Sequence, residues 1–537
     1  PDLNVPEAVA KLVSKHGFEG ESSEFEAGYK AEINHMLSRR LQLINDSDEI
    51  NNIRNKHPVV SMRMILENKK DGRKKGRLVL QGFKEPPEWD TMSNASPVAF
   101  TSTIRLLLFG KGVPEDVISS IDVSVAFLQA DEYGEDSPPR YVSYKPYAGA
   151  RDYLFKLRGP VYGQRSAPRA WYETIRAWMV SEMGYNQCKN DKCLFVHPDT
   201  GHRVALYVDD FLCRGSKSDS DKFYEALMSR FDCKDPTFLS SSQDIIFTGM
   251  TISREVNNGK PVNVMSQSNE IKSFLKLKGI WDVRKVDSPM PDRSTMLGGA
   301  AVSDNMKSWC KSVIGGLQHF VRGTKLRWDI AHAVSRLGQQ LANPDTGTVK
   351  QIDRIAGYLK SSIDRRLQGY HGVGDDVLIT YTDSDHHGDP KNTSRSQTSV
   401  MCILNGVPVH WRSNRQPKTT LSPAESEIYA LSVGIKDAQL TGWVLEEIGA
   451  TVSWPINIYT DSAGAYSFQR DANPETKLRG CFDFRESWVG ELQQADNVNV
   501  ILCPDENNLA DIGTKCLPTY KYKRRVQQLE GLEICGR

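Results

Sequence analysis

No apolar run among the 537 residues approaches the roughly 18 that a membrane-spanning helix needs, so no membrane partner is expected. Cysteine is sparse and scattered: of ten, Cys188 and Cys193 are the closest pair, and no C-x-x-C occurs. That argues against a zinc site and a disulfide framework, and for a reducing compartment. An excess of one charge is missing too. With a formal net charge of +1, any affinity for polyanions must come from local clusters. No internal repeat with a period of about 20–50 residues is present. The opening Pro1-Asp2-Leu3-Asn4 lacks an initiator Met, a basic n-region and an apolar h-region. It speaks against a secretory signal and reads as the start of a piece cut from a longer chain.

What is present is ordinary globular protein. Apolar residues make up 39% and charged residues 25%, which excludes a disordered or collagen-like chain. The length exceeds what one hydrophobic core usually supports, so about three or four domains are expected. Within residues 24–43, Tyr29, Ile33, Met36 and Leu43 recur at helical spacing and predict a packed N-terminal helix. Strand-like runs over 59–66 and 77–80 flank Lys70-Asp71-Gly72-Arg73 and predict a hairpin with a basic tip. Residues 309–370 read as largely helical, with Ile330, Ala333, Val334 and Leu337 on one apolar face. Strands return after Val377.

The first chemistry-bearing signal is an acid pair. Asp209 and Asp210 follow Leu206-Tyr207-Val208 and precede Phe211-Leu212, which predicts a tight bend between two apolar strands. Asp is a favoured turn residue, so the pair alone says little. A third acid, Asp122, ends the strand-like run Val117-Ile118-Ser119-Ser120-Ile121, and a buried strand carrying an acid needs a reason. Phosphoryl transfer from a nucleoside triphosphate supplies one, because two divalent ions about 4 Å apart must be held by carboxylates.

These residues resemble a known family. Tyr207-Val208-Asp209-Asp210 matches the Y-x-D-D box of reverse transcriptases, and Asp122-Val123-Ser124-Val125-Ala126-Phe127-Leu128 is similar to the D-V-x-x-A-F-L of the copia group of retrotransposons. Between them, Tyr162-Gly163-Gln164-Arg165-Ser166-Ala167-Pro168-Arg169-Ala170-Trp171 is close to that group's Y-G-L-K-Q-A-P-R-A-W. The resemblance implies that Asp122, Asp209 and Asp210 are catalytic and, with Val123, bind metal. It further implies that Tyr207 and Ser166 contact nucleotide, and that Phe127, five residues beyond Asp122, is the gate that excludes a sugar 2′-hydroxyl. Phe127 also reads as an ordinary core aromatic. Ser166 stands where the family has Gln and is too short to span the same distance, which leaves the nucleotide contacts of this motif open. Upstream, Lys74-Lys75-Gly76-Arg77-Leu78-Val79-Leu80-Gln81-Gly82-Phe83 resembles the K-A-R-L-V-A-K-G-F of the fingers, where Lys75 and Arg77 would clamp a triphosphate. Lys69, Lys70 and Arg73 read as a solvated basic turn. Ser96-Pro97-Val98, Thr103-Ile104-Arg105 and Phe247-Thr248-Gly249-Met250 are similar to the S-P-V, T-I-R and F-L-G boxes, the last near the primer.

A second acid set follows residue 375. Val377, Ile379, Tyr381 and Asp383 alternate along one strand, and Val400, Cys402 and Leu404 run through Asn405-Gly406 into Val407, Val409 and Trp411, the pattern of a hairpin with a two-residue turn. Ser422-Pro423-Ala424-Glu425 is a capping box opening a helix with Ile428, Leu431 and Ile435 on one face. The box gives Glu425 a structural task and leaves Glu427 as the catalytic acid of the pair. Ile456-Asn457-Ile458-Tyr459-Thr460 is a strand ending in Asp461, and Asp511 lies in Ala510-Asp511-Ile512-Gly513-Thr514-Lys515. Singly, each acid reads as a surface residue. In this order and with these neighbours they resemble the S-D-A-D, E-A-E-Y, D-N/S and A-D-x-x-T-K of copia ribonuclease H. Asp383, Glu427, Asp461 and Asp511 are then its catalytic, metal-binding acids. The sequence departs from the pattern in His386, where the family has Trp, and in having no His between Asp461 and Asp511. Residues 479–485 follow the family's T-K-H-I-D-I-R only loosely.

Over residues 20–520 or so, the resemblance implies an α+β multidomain fold. An N-terminal helical segment (1–56) precedes the fingers and palm of a right-hand polymerase (57–235), then a thumb and helical connector (236–375), an α/β ribonuclease H-like domain (376–520) and a tail (521–537). It implies RNA- and DNA-directed DNA synthesis, with degradation of the RNA of the RNA–DNA hybrid. Two Mg²⁺ per active site are expected, with Mn²⁺ as the alternative. Expected partners are an RNA template, a DNA or tRNA primer, deoxynucleoside triphosphates and the hybrid, with a homodimer left open. The expected setting is cytoplasmic, within virus-like particles, with the cDNA destined for the nucleus. The rival from another class is a domesticated or inactive retroelement product that binds nucleic acid without catalysis. All seven expected carboxylates are present, which decay would have been expected to breach. A telomerase or group II intron enzyme would lack the attached nuclease.

Overall fold

The computed structural model describes the chain apart from residues 1–4, 17–21, 69–71, 91, 114, 292–297, 323–324, 373–374, 387, 389–393, 469–487, 489–491, 493–496 and 531–537. Lys69, Lys70 and the stretch 479–485 therefore lie outside the described residues. The fold is mixed α/β with several sheets, and the chain forms two compact units, each assembled from separate stretches. One takes Pro1–Val98, Asp122–Gln187 and Glu225–Lys234; the other takes Ala99–Ile121, Cys188–Tyr224 and Asp235–Arg537. The expected consecutive blocks do not coincide with these units, since residues 57–235 are shared between them. Strand pairing between distant stretches, such as Val117–Asp122 beside Asp210–Gly215, overrides order along the chain.

In the first unit a five-stranded sheet runs in the order Leu41–Ile44, Tyr153–Leu157, Tyr141–Tyr144, Val59–Asn68, Lys74–Leu80. The helix Ser22–Arg39 presents Phe25, Tyr29, Ile33 and Met36 to a core shared with Met62, Met64, Leu66, Leu78 and Leu80. The helix ends earlier than its spacing predicts. Leu43 belongs instead to an edge strand paired with Tyr153–Leu157, a partner about 110 residues away that local periodicity cannot reveal. Gly163, at φ +83°, closes the unit against the hairpin. A Cβ there would stand 2.2 Å from the Leu80 carbonyl oxygen, and the Leu80 N–H donates to the Tyr162 carbonyl at 2.7 Å.

The second unit holds three sheets. The first has Val117–Asp122 between Thr237–Phe238 and Asp210–Gly215, followed by Arg203–Tyr207 and Leu194–Val196. The second runs Ile245–Phe247, Met250–Asn257, Lys260–Ser266, Arg366–Tyr370. The predicted helical region is present as Asp304–Val321, Ala331–Gly338 and Thr346–Ser361, but Arg366–Tyr370 is a strand because it pairs with Lys260–Ser266. The third sheet has the order Val407–Arg415, Gln397–Leu404, Leu378–Asp385, Ile456–Thr460, Val498–Leu502. Its first hairpin turns at Asn405-Gly406, with φ of 52° and 83°, the conformation that this residue pair favours. The 25-residue helix Pro423–Glu447 crosses it, and it approaches so closely that a Cβ on Gly434 would lie 2.2 Å from Thr382 Cγ2. The expected C-terminal tail instead contains the helix Thr519–Gln528, anchored by buried Tyr522, whose hydroxyl donates to the Asp329 carbonyl at 2.8 Å.

Candidate active sites

The paired strands Arg203–Tyr207 and Asp210–Gly215 set Tyr207 opposite Asp210, so Val208 and Asp209 form a two-residue turn. Val208 has φ +60°, a region that a β-branched residue rarely enters. Such strain, on the order of 1–3 kcal/mol, persists where the surroundings enforce it and concentrates at functional sites. Asp209 is exposed at the tip, and Asp210 is half-buried. The Tyr207 ring lies 6.5 Å from that of Phe247, next to a second strained turn at Thr248-Gly249, φ 50° and 82°. Lys325, itself paired with Glu270 at 3.0 Å, donates to the Thr248 carbonyl at 2.7 Å and holds that turn.

Asp122, the last residue of its strand, is paired with Lys234 at 2.9 Å, and Val123 is buried and bridged to Cys233. Phe127 sits half-buried on the short 3-10 turn Ala126–Gln129, entered through Val125 at φ 46°. Its ring centroid is 5.7 Å from that of Tyr162, and the Arg77 guanidinium is 5.7 Å from the same Tyr162 ring. Tyr162 thus joins two residues that the sequence singled out separately. Its motif was legible, but nothing in the pattern assigned it this position. Lys75 and Arg77 are half-buried on the strand Lys74–Leu80, alternating with buried Gly76 and Leu78, and Arg77 Nε is 4.0 Å from Glu67 Oε2. Ser166 departs from expectation. It is only 5% exposed, packed at the start of the helix Ala167–Ala177, and offers almost no surface to a nucleotide.

The second acid set is gathered in space. Leu378–Asp385 and Ile456–Thr460 run parallel with Tyr381 opposite Tyr459, their rings stacked at 4.9 Å. Continuing that register brings Asp383 and Asp461 to the same level at the strand ends. Glu427 joins them from the second turn of the long helix, with Asp383, Glu427 and Asp461 each offering an oxygen within 4.8 Å of the others. Asp511 comes from the turn Leu509–Gly513, which Asn508 ties to the Thr382 carbonyl at 3.0 Å. Asp461, Asp505 and Asp511 form a second triad within the same limit. Asp505 was not foreseen, since nothing in its local sequence distinguishes it from a surface acid.

Burial and the neighbouring Asp511 and Asp461 push the Asp383 carboxyl up to about 7, against the pull of Lys515. Burial with Asp383 and Asp461 nearby raises Glu427 well above the usual carboxylate range, and burial with Asp511 raises Asp461. Asp383 Oδ1 and Glu427 Oε2 are buried and accept no hydrogen bond. Crowded hard oxygen donors with unused lone pairs fit divalent cations such as Mg²⁺ or Mn²⁺. Lys515 reaches into the group, 2.5 Å from Asp511 Oδ1, 3.4 Å from Asp383 Oδ1, 3.5 Å from Asp505 Oδ1 and 3.7 Å from Asp461 Oδ2. Although burial opposes it, these acids hold its ammonium above its ordinary pKa. The Thr514 hydroxyl donates to Asp383, and Arg525 to Asp511 Oδ2 at 2.9 Å. Lys515 and Thr514 lie in the quoted A-D-x-x-T-K motif, whereas Arg525 carries no sequence signal. Glu425 stands apart. Its own N–H donates to Ser422 Oγ at 3.1 Å, and its Oε2 accepts from the Leu421 N–H at 2.6 Å.

Residues 45–290 match the family model described as reverse transcriptase (RNA-dependent DNA polymerase), and this segment is a reverse transcriptase domain. The curated proteins that the chain resembles include retrotransposon polyproteins. It is 28% identical to the retrovirus-related Pol polyprotein from transposon TNT 1-94 of Nicotiana tabacum, over 86% of this chain and 35% of that protein. The corresponding protein from transposon RE2 of Arabidopsis thaliana is 29% identical, over 89% and 32%. The transposon TyH3 Gag-Pol polyprotein of Saccharomyces cerevisiae is 23% identical, over 94% and 29%. The chain therefore spans about a third of the length of these relatives.

Proposed function

We propose that this chain copies RNA into DNA and degrades the RNA strand of the resulting hybrid, each by two-metal phosphoryl transfer at its own carboxylate set. The observation that carries the reading is the convergence of Asp383, Glu427, Asp461 and Asp511 in a chain whose residues 45–290 match the reverse transcriptase family. In the polymerase, Asp122, Asp209 and Asp210 are the metal-binding acids, and Phe127, backed by Tyr162, discriminates against a 2′-hydroxyl. Arg77 and Lys75 lend positive charge to the triphosphate. In the ribonuclease H-like domain, Asp383, Glu427 and Asp461 would hold one cation, and Asp461, Asp511 and the outlying Asp505 would hold a second. Divalent ions so held supply Lewis-acid stabilisation of the attacking and leaving oxygens. Lys515 counters the repulsion among the acids, and bound cations would take over part of that task.

Two assays on the same preparation test this: primer extension on an RNA template, and release of fragments from a labelled RNA–DNA hybrid, each with Mg²⁺ and with Mn²⁺. Both activities are expected, and both are expected to stop with a chelator. Binding of primed template without extension or cleavage under either metal would favour an inactive nucleic-acid-binding product instead.

A further inference from the structure

A groove of about 760 Å³ opens in the second unit between the outer strand Val407–Arg415 with its continuation to Pro417 and the helices Asp304–Val321 and Ala331–Gly338. Five arginines line it, Arg105, Arg322, Arg395, Arg412 and Arg415, together with His410, and among the described residues no carboxylate does. Such a one-signed wall stands out in a chain whose net charge is only +1, and Asp437 behind it, paired with Arg412 and His410, offsets only part of that charge. Two of the arginines have structural tasks. Buried Arg105 donates to the Val409 and Lys325 carbonyls and stacks on Trp411 at 3.9 Å, while Arg412 is bound by both oxygens of Asp437 at 2.8 Å. Arg322 and Arg415 are exposed, and among the described residues neither makes an ion pair.

The chemistry of the wall narrows the occupant. Among the described residues its aromatic side chains are Trp411 and His410, and the His410 imidazole is held against Asp437 at 3.1 Å. The Arg105 guanidinium stacks on the Trp411 ring, and the Trp411 Nε1 donates to the Val321 carbonyl at 3.0 Å, so the groove is poorly equipped to stack bases. What it presents is guanidinium forks with amide side chains from Gln318, Gln339 and Asn414, a set suited to phosphodiester oxygens. We propose that this groove binds the phosphate backbone of an RNA–DNA hybrid without sequence preference, through Arg322 and Arg415 in particular. The proposal rests on the nucleic-acid function inferred above and adds a binding surface outside the two carboxylate sets.

The test measures equilibrium binding of a labelled RNA–DNA hybrid to the full chain as a function of salt, for wild type, Arg322→Ala, Arg415→Ala and the double variant. Removing one arginine–phosphate pair should flatten the slope of log K against log salt by about 0.9, and the double variant should bind roughly 10- to 100-fold more weakly at low salt, converging on wild type at high salt. A double alanine variant at two exposed lysines outside the groove, Lys260 and Lys350, matches the charge change and should leave slope and affinity near wild type. Equal weakening in both double variants, or none in the arginine pair, would overturn the groove while leaving the proposed catalysis intact. Failure of wild type to bind the hybrid at all would overturn both. A thermal melt of each variant separates weaker phosphate binding from impaired folding, since replacing the exposed arginines should leave Tm unchanged.

Discussion

Asp209 stands exposed at the tip of a two-residue turn whose cost is backbone strain at Val208, whereas Asp383 keeps 1% of its surface exposed, and the cost at its site is the crowding of like charges. Asp209 is presented to solvent on a hairpin turn; the acids around Asp383 are assembled inside a folded domain and partly neutralised by Lys515. The difference teaches that carboxylates can be set in place by local geometry or by tertiary enclosure. The first leaves the acids accessible to incoming substrate. The second builds up repulsion that a bound cation relieves.

If the two sets are separate catalytic centres, each must be breakable alone. Asp209→Asn should lower primer extension by roughly 10³-fold or more, a missing metal ligand being worth several kcal/mol, while hybrid cleavage continues. Parallel loss of both activities would sink the separation. Glu427→Gln should have a comparable effect on cleavage and spare extension. The contrast with Glu425→Gln sharpens the assignment within one helix. That substitution weakens a bond to the Leu421 N–H and should cost about 1 kcal/mol of stability with cleavage retained, and abolished cleavage there would reverse the two roles.

On the polymerase side, Phe127→Val should admit ribonucleotides about 10- to 100-fold more readily relative to deoxynucleotides, in the range that one steric clash discriminates. Were Phe127 only a packing residue against Tyr162, kcat/KM for both sugars would fall by one factor in the folded variant.

The smallest expected effect concerns charge crowding. Groups whose folded pKa is raised contribute stability at acid pH that is lost as pH rises through their folded values. Without metal, the stability that this acid cluster contributes to the second unit should therefore fall between about pH 4 and about 7, because Asp383, Glu427 and Asp461 are all shifted upward. Saturating Mg²⁺ should raise Tm by about 2–4 °C near neutral pH and by less near pH 5. A metal-induced shift that survives Asp383→Asn unchanged would place the binding elsewhere.

Much of this molecule was legible along the chain. The acid at the end of Val117–Asp122, the turn between Arg203–Tyr207 and Asp210–Gly215, the hairpin through Asn405-Gly406 and the Ser422 cap are all local, written in alternation, turn chemistry and spacing within a few residues. The tertiary structure alone decided which distant groups meet. Leu43 became a strand residue, Arg366–Tyr370 left the helical region, and the expected tail folded back to anchor Tyr522 and send Arg525 to Asp511. Likewise Tyr162 met both Phe127 and Arg77, and Asp505 met Asp461 and Asp511. Such meetings follow from nonlocal pairing and burial, whose free energy depends on partners tens to hundreds of residues away, and no short window of sequence contains that term.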